Sequence, residues 1–158
     1  MDILGFASNY QDIGLLMLRV FLGLIMVVHG LPKLAGPVRK QMREAMSQLG
    51  VPKPLFDLAG LLEFVGGLAL ILGLLTRVAA LLFALQMVGT IVLYLTKLGK
   101  MVPPPEMLHQ MVSGSRRVMR GFMAGVGGWE FDLLILGAAL LLLTTGAGSI
   151  SVDTLLAL

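Results

Sequence analysis

The chain has no cysteine. That excludes disulfides, thiol exchange, iron–sulfur ligation by thiolates and Cys-based zinc sites, so any redox role must use a cofactor or a partner. Charge is also scarce: 13% of the 158 residues are charged and 57% are apolar, with a mean hydropathy of +0.92. Such values lie far from those of soluble domains. The net charge of +3 does not point to nucleic acid, because the basic residues flank apolar runs and form no soluble basic domain. Histidine is equally sparse. Only His29 falls within a membrane-length run and His109 lies in a long loop, so bis-His haem ligation within one chain is not available. No basic segment precedes the first apolar run, which reads as a segment retained in the chain.

What is present is a set of membrane-length apolar runs. At ~20 residues per crossing the length accommodates four spans and not six. The spacing predicts an all-α integral membrane four-helix bundle, a single transmembrane domain over 1–158 with spans near 12–34, 57–75, 78–96 and 129–146. Between the first two, Val38, Met42, Ala45, Met46 and Leu49 recur on one helical stripe, with Arg39, Lys40 and Arg43 mostly off it. Residues 37–49 therefore read as a short interfacial helix. Residues 97–128 are long for a connection; a methionine-rich stripe at 106–123, with Arg116, Arg117 and Arg120 beside it, reads either as a second interfacial helix or as a docking surface for another protein.

Ten of the twelve Lys and Arg residues belong to the side of the first and third loops, while Arg77 lies opposite and Arg19 falls inside a span. The positive-inside rule then places those loops in the cytoplasm, next to anionic headgroups, and both termini outward.

Glu63 sits six residues into the second span, and an ionised carboxylate at that depth is costly unless a cation or donor meets it. Alternating span directions bring His29 and Lys33, Glu63, and the Trp129-Glu130-Phe131-Asp132 start of the last span to one depth. His29, Glu63 and Glu130 are therefore the candidate proton-exchanging residues. His29, Lys33, Glu63 and Trp129 are the candidates for holding a cofactor. A purely structural polar network of Arg19, Glu63, Arg77 and Gln86 explains the same residues without chemistry. Arg19 itself reads either as snorkelling to headgroups or as half of an internal ion pair. Gly60, Gly66, Gly67 and Gly73 give the second span small faces for close packing. No metal constellation is present in the pattern.

The stretches LRVFLGLIMVVHGLPKL, LLEFVGGLALILGLLTRVAALLFAL and GGWEFDLLILGAALLLLTTGAGSISVD, in this order and with His29, Lys33, Glu63, Arg77 and Glu130 in place, resemble the DoxX family of small four-helix membrane proteins. The long third loop departs from typical members. The resemblance implies a prokaryotic plasma-membrane protein linked to quinol or other electron-transfer chemistry. Two roles fit: a structural or assembly subunit of a redox complex, docking through its glycine-lined faces and residues 103–123, or a component that binds quinone at the cytoplasmic side. No intrinsic cofactor is expected beyond that quinone. A solute or proton pathway ranks last, since nothing resembles inverted repeats or a selectivity filter.

Overall fold

The computed structural model describes residues 3–97 and 129–157. All elements among them are helical: α1 (Ile3–Leu34), α2 (Arg39–Gln48), α3 (Lys53–Leu61), a π-helical turn (Leu62–Gly66), α4 (Gly67–Leu72), α5 (Thr76–Thr96), α6 (Trp129–Thr145) and α7 (Val152–Leu155). Three stretches are long and apolar enough to cross a membrane: Tyr10–Leu34, Lys53–Leu72 and Thr76–Thr96. The 17-residue α6 lies along α5. The segment proposed at 106–123 lies outside the described residues. So does His109.

Helix α1 begins well before Asp12, and the break between the second and third long helices falls at 73–75, ahead of the Thr76-Arg77 pair that the sequence suggested for it. The physical reason is a C-terminal cap on α4. Gly73 adopts a left-handed conformation (φ 69°), its N–H reaches the Leu70 carbonyl at 3.1 Å, and Leu74 N–H reaches that of Ala69 at 2.8 Å. This is the pair of bonds that closes a helix on glycine. Thr76 then already belongs to α5.

Helix α1 packs along α3, the π turn and α4 through a glycine seam of period seven. A Cβ placed on Gly23 would meet the Gly67 carbonyl oxygen at 2.5 Å, and one on Gly30 would meet the Gly60 oxygen at 2.8 Å. The reciprocal positions are as tight, with Gly67 against Gly23 and Gly60 against Lys33. Backbones thus touch directly, as small residues permit in membrane helices. On the other side α5 packs on α6, and the two pairs meet over Leu22, Met26, Leu70, Phe83, Ala139 and Leu142. Leucines and valines outside this core, such as Leu24, Leu68, Leu85 and Leu134, are exposed and form the lipid-facing surface.

The seam makes a prediction. Gly67→Leu should destabilise by about 1–3 kcal/mol or more, because the obstruction is backbone and cannot yield. Gly89→Leu, with nothing within 4 Å of its Cβ position, should change stability by less than about 0.5 kcal/mol. Detergent unfolding curves of the two variants give the comparison, and equal effects would refute the seam.

Helix α2 is fastened rather than merely laid down. Asp57 on α3 accepts from Arg39 at 2.9 Å and from Arg43 at 2.8 Å, Arg39 Nε also donates to the Lys33 carbonyl, and Lys53 pairs with Glu44 at 2.6 Å. The Lys53 ammonium holds the Glu44 carboxyl below its ordinary range. Of the basic residues assigned to headgroups, Arg39 and Arg43 are thus engaged within the chain, whereas Lys40 is exposed.

Candidate functional site: two polar ends on one bundle

The polar side chains inside the bundle gather at two ends, separated along α1 by the 14 residues from Arg19 to Lys33, or ~21 Å.

At the first end Glu63 lies on the π turn, 4% exposed at its side chain, and its Oε1 accepts from both Lys33 Nζ and Gln86 Nε2. A π turn is a rare widening of a helix that recurs at functional sites. Here it coincides with the buried acid of that helix. Lys33 comes from the last turn of α1 and Gln86 from the middle of α5, so three long helices converge on one oxygen. The other carboxylate oxygen, Oε2, and the amide oxygen of Gln86 are buried and have no hydrogen-bond partner among the described residues.

His29 lies one turn below Lys33. Its Nδ1 bonds the Ile25 carbonyl at 2.8 Å, and its ring stacks on Phe131 of α6 with centroids 5.8 Å apart and planes at 24°. Asp132 interacts electrostatically with His29 and Lys33 and lies beside Thr90. Asp132, not Glu130, is therefore the second acid at this end; Glu130 is exposed on the opposite side of the first turn of α6. Trp129 opens α6, half-buried.

The second end holds Arg19, which is fully buried. That overturns the snorkelling reading, and Arg19 does not pair with Glu63 either. Its Nη2 donates to the Ile150 carbonyl, and its guanidinium lies in the hollow left by Gly73, where any Cβ would collide with Nη1. The balancing charge is Asp153. That carboxylate accepts from Leu75 N–H at 2.6 Å and Thr76 N–H at 2.9 Å, capping α5, while Asp153 N–H donates to the Gly73 carbonyl at 2.8 Å. Leu75, at φ 49°, is held by this cap in a left-handed conformation that leucine rarely adopts. Asp12 on α1 holds Ser149 through both its N–H and its hydroxyl. Arg77 is exposed and reaches the Thr144 carbonyl at 3.5 Å. The proposed network of Arg19, Glu63, Arg77 and Gln86 is thus two separate groups, and the residues that complete the second, Asp153 and the 146–153 backbone, were not among the candidates. The GAGSISVD run after the last apolar stretch, turn residues leading to an acid, was the available signal.

Glu63, Lys33 and Gln86 can fix one anionic centre and present two bare acceptors. No group of three or more His, Asp or Glu able to hold a metal occurs among the described residues.

The DoxX family model matches residues 14–96. The inner membrane protein YqjF of Escherichia coli is 32% identical over 94% of this chain and 96% of its own length. The uncharacterized membrane protein Rv3486 of Mycobacterium tuberculosis is 33% identical over 86% of this chain and 77% of its own. CatD of Bacillus subtilis, whose name places it provisionally among oxidoreductases, is 29% identical over 90% and 86%. No solved structure matches. The chain is a membrane protein and belongs to the DoxX family.

Proposed function

We propose that this protein is a membrane component of a redox system, and that its Lys33–Glu63–Gln86 end binds the headgroup of a quinone in the reduced, quinol form. The observation that carries this reading is the pair of buried, unpartnered acceptors, Glu63 Oε2 and Gln86 Oε1. Buried acceptors without donors cost about 1–3 kcal/mol each, so a ligand that fills them must donate. Quinol hydroxyls donate, whereas quinone carbonyls do not. A bound quinol would release two protons at this site and give its two electrons to an electron-accepting partner in the same redox system. Glu63 is placed to accept a hydroxyl hydrogen bond and its proton, Lys33 balances the carboxylate charge, and His29 with Asp132 provides titratable groups beside it. CatD, one of the relatives, carries an oxidoreductase name.

In the same reading, α6 forms the fourth span of a four-helix bundle, α2 lies at the interface, the Lys33 end faces the cytoplasm of a prokaryotic cell and both termini face outward. The assembly role is left with residues 103–123 as its docking surface, because Gly60, Gly66, Gly67 and Gly73 are spent on Lys33, Phe83, Gly23 and Arg19 of the same chain.

Titration of the purified full-length protein with a short-tailed hydroquinone tests the site. Glu63→Gln should weaken binding roughly tenfold, the worth of one charge-assisted hydrogen bond, while the corresponding quinone binds both forms weakly. Equal hydroquinone affinity for wild type and Glu63→Gln would remove Glu63 from the site.

A further inference from the structure

A recess of about 390 Å³ opens at the other end of the bundle, between the start of α5 and the segment following α6. Leu75, Thr76, Arg77, Val78, Gly146 and Asp153 contribute to its wall. We infer that this recess binds a phosphate-type oxyanion, the phosphodiester of a membrane lipid or free phosphate, through Thr76, Arg77 and the first turn of α5.

The argument begins with the helix end. The first four N–H groups of a helix lack partners within it. Asp153 takes those of Leu75 and Thr76, leaving Arg77 and Val78 to be satisfied from outside the helix. Alone this would describe any helix start. The independent observation is Thr76, which lines the recess, is fully buried, and has no hydrogen-bond partner for its Oγ1 among the described residues. Threonines in apolar helices ordinarily return their hydroxyl to a carbonyl three or four residues back. Thr90, Thr96, Thr144 and Thr145 all do so. Thr76, at the first position of α5, has no preceding helical turn to reach, so its hydroxyl needs a partner from the recess.

The charges have the right sign. Asp153 is the acid in the wall, but both its oxygens are engaged by backbone N–H groups and the buried Arg19 lies behind it. Asp12, on the far side of Gly148, is engaged by Ser149. Arg77 adds a guanidinium that rests on Gly146, whose missing side chain leaves it space: a Cβ there would stand 3.3 Å from Arg77 Nε. Among the described residues Arg77 makes a single hydrogen bond, to the Thr144 carbonyl at 3.5 Å, which leaves most of its donors for an anion. Leu75 and Val78 at the rim are exposed and apolar, which suits a phosphate with acyl chains attached.

The test uses the full-length protein in a maltoside detergent, with phosphatidylglycerol and inorganic phosphate as separate probes. Retained lipid is counted by native mass spectrometry, and the thermal midpoint is followed against each probe. Wild type should gain stability from phosphatidylglycerol and keep it through dilution. Arg77→Gln and Thr76→Val should each weaken binding roughly tenfold and severalfold, respectively. Without probe, Thr76→Val should be neutral or stabilising, since it removes an unpaired buried hydroxyl. Equal stabilisation by inorganic phosphate identifies the free anion as the occupant, whereas stabilisation by phosphatidylglycerol alone identifies the lipid. If wild type and Arg77→Gln respond identically to both probes, or if Thr76→Val without probe is markedly destabilised, the inference is wrong.

Discussion

Asp153→Ala is expected to lower stability by about 3–5 kcal/mol, far more than a substitution four residues from the last described residue would ordinarily cost. Two losses combine. The Leu75 and Thr76 N–H groups lose their acceptor, which costs about 0.5–2 kcal/mol as for other helix caps. Arg19 loses the charge that compensates it while staying fully buried, with one bond among the described residues, to the Ile150 carbonyl. Asp153→Asn separates the two effects, since it keeps an acceptor for the cap but not the charge, and should fall between wild type and alanine. Arg19→Met removes the buried charge and replaces it by a chain of similar length, so in the Asp153→Asn background it should restore part of the loss. A coupling of more than about 1 kcal/mol in the Arg19→Met and Asp153→Asn cycle, measured by detergent unfolding, would establish the interaction. A loss below 1 kcal/mol for Asp153→Ala would show that the tail merely lies against the bundle.

The contrast between the two ends explains what could be read before folding. Glu63 was visible because a carboxylate within an apolar run violates the local pattern, and Lys33 was visible because helix spacing puts it at the matching depth. Gln86 was legible only as a polar group in a span, grouped with Glu63 but equally with Arg19 and Arg77, and only the rotation of α5 aims it at Glu63. The choice between Glu130 and Asp132 also depends on helix rotation, since two residues along a helix point to nearly opposite sides. The π turn was invisible for a different reason. A widened turn changes which side chains face inward without changing composition, and Leu62–Gly66 reads as ordinary helix. Arg19 was recognised as costly, but its balancing charge lies 134 residues away in a tail without periodicity. The seven-residue repeats of Gly23 with Gly30 and Gly60 with Gly67 were present in the chain, yet a small-residue face becomes meaningful only when its partner is known. The structure assigns both repeats to the same seam.

Lys33→Met should cost about 3–5 kcal/mol, whereas Glu63→Gln should cost about 1 kcal/mol or less, although the two variants break the same ion pair. The asymmetry follows from burial. The Glu63 side chain is 4% exposed and the Lys33 side chain 21%. When Lys33 is removed, the carboxylate is left in the interior with Gln86 as its remaining donor among the described residues, and a short side chain on the π turn cannot move to water. When Glu63 is made neutral, Lys33 sits in the last turn of α1 and can swing its ammonium toward the headgroups on a flexible four-carbon stem. The double variant Lys33→Met with Glu63→Gln should therefore recover most of the stability that Lys33→Met loses, because it removes the buried charge rather than its partner. Recovery of stability without recovery of hydroquinone binding would separate the two duties of Glu63, structural anchor of three helices and acceptor for a ligand. Failure of the double variant to recover stability would instead mean that the loss in Lys33→Met does not come from an uncompensated Glu63 carboxylate, since methionine keeps the stem whose Cβ packs on Gly60.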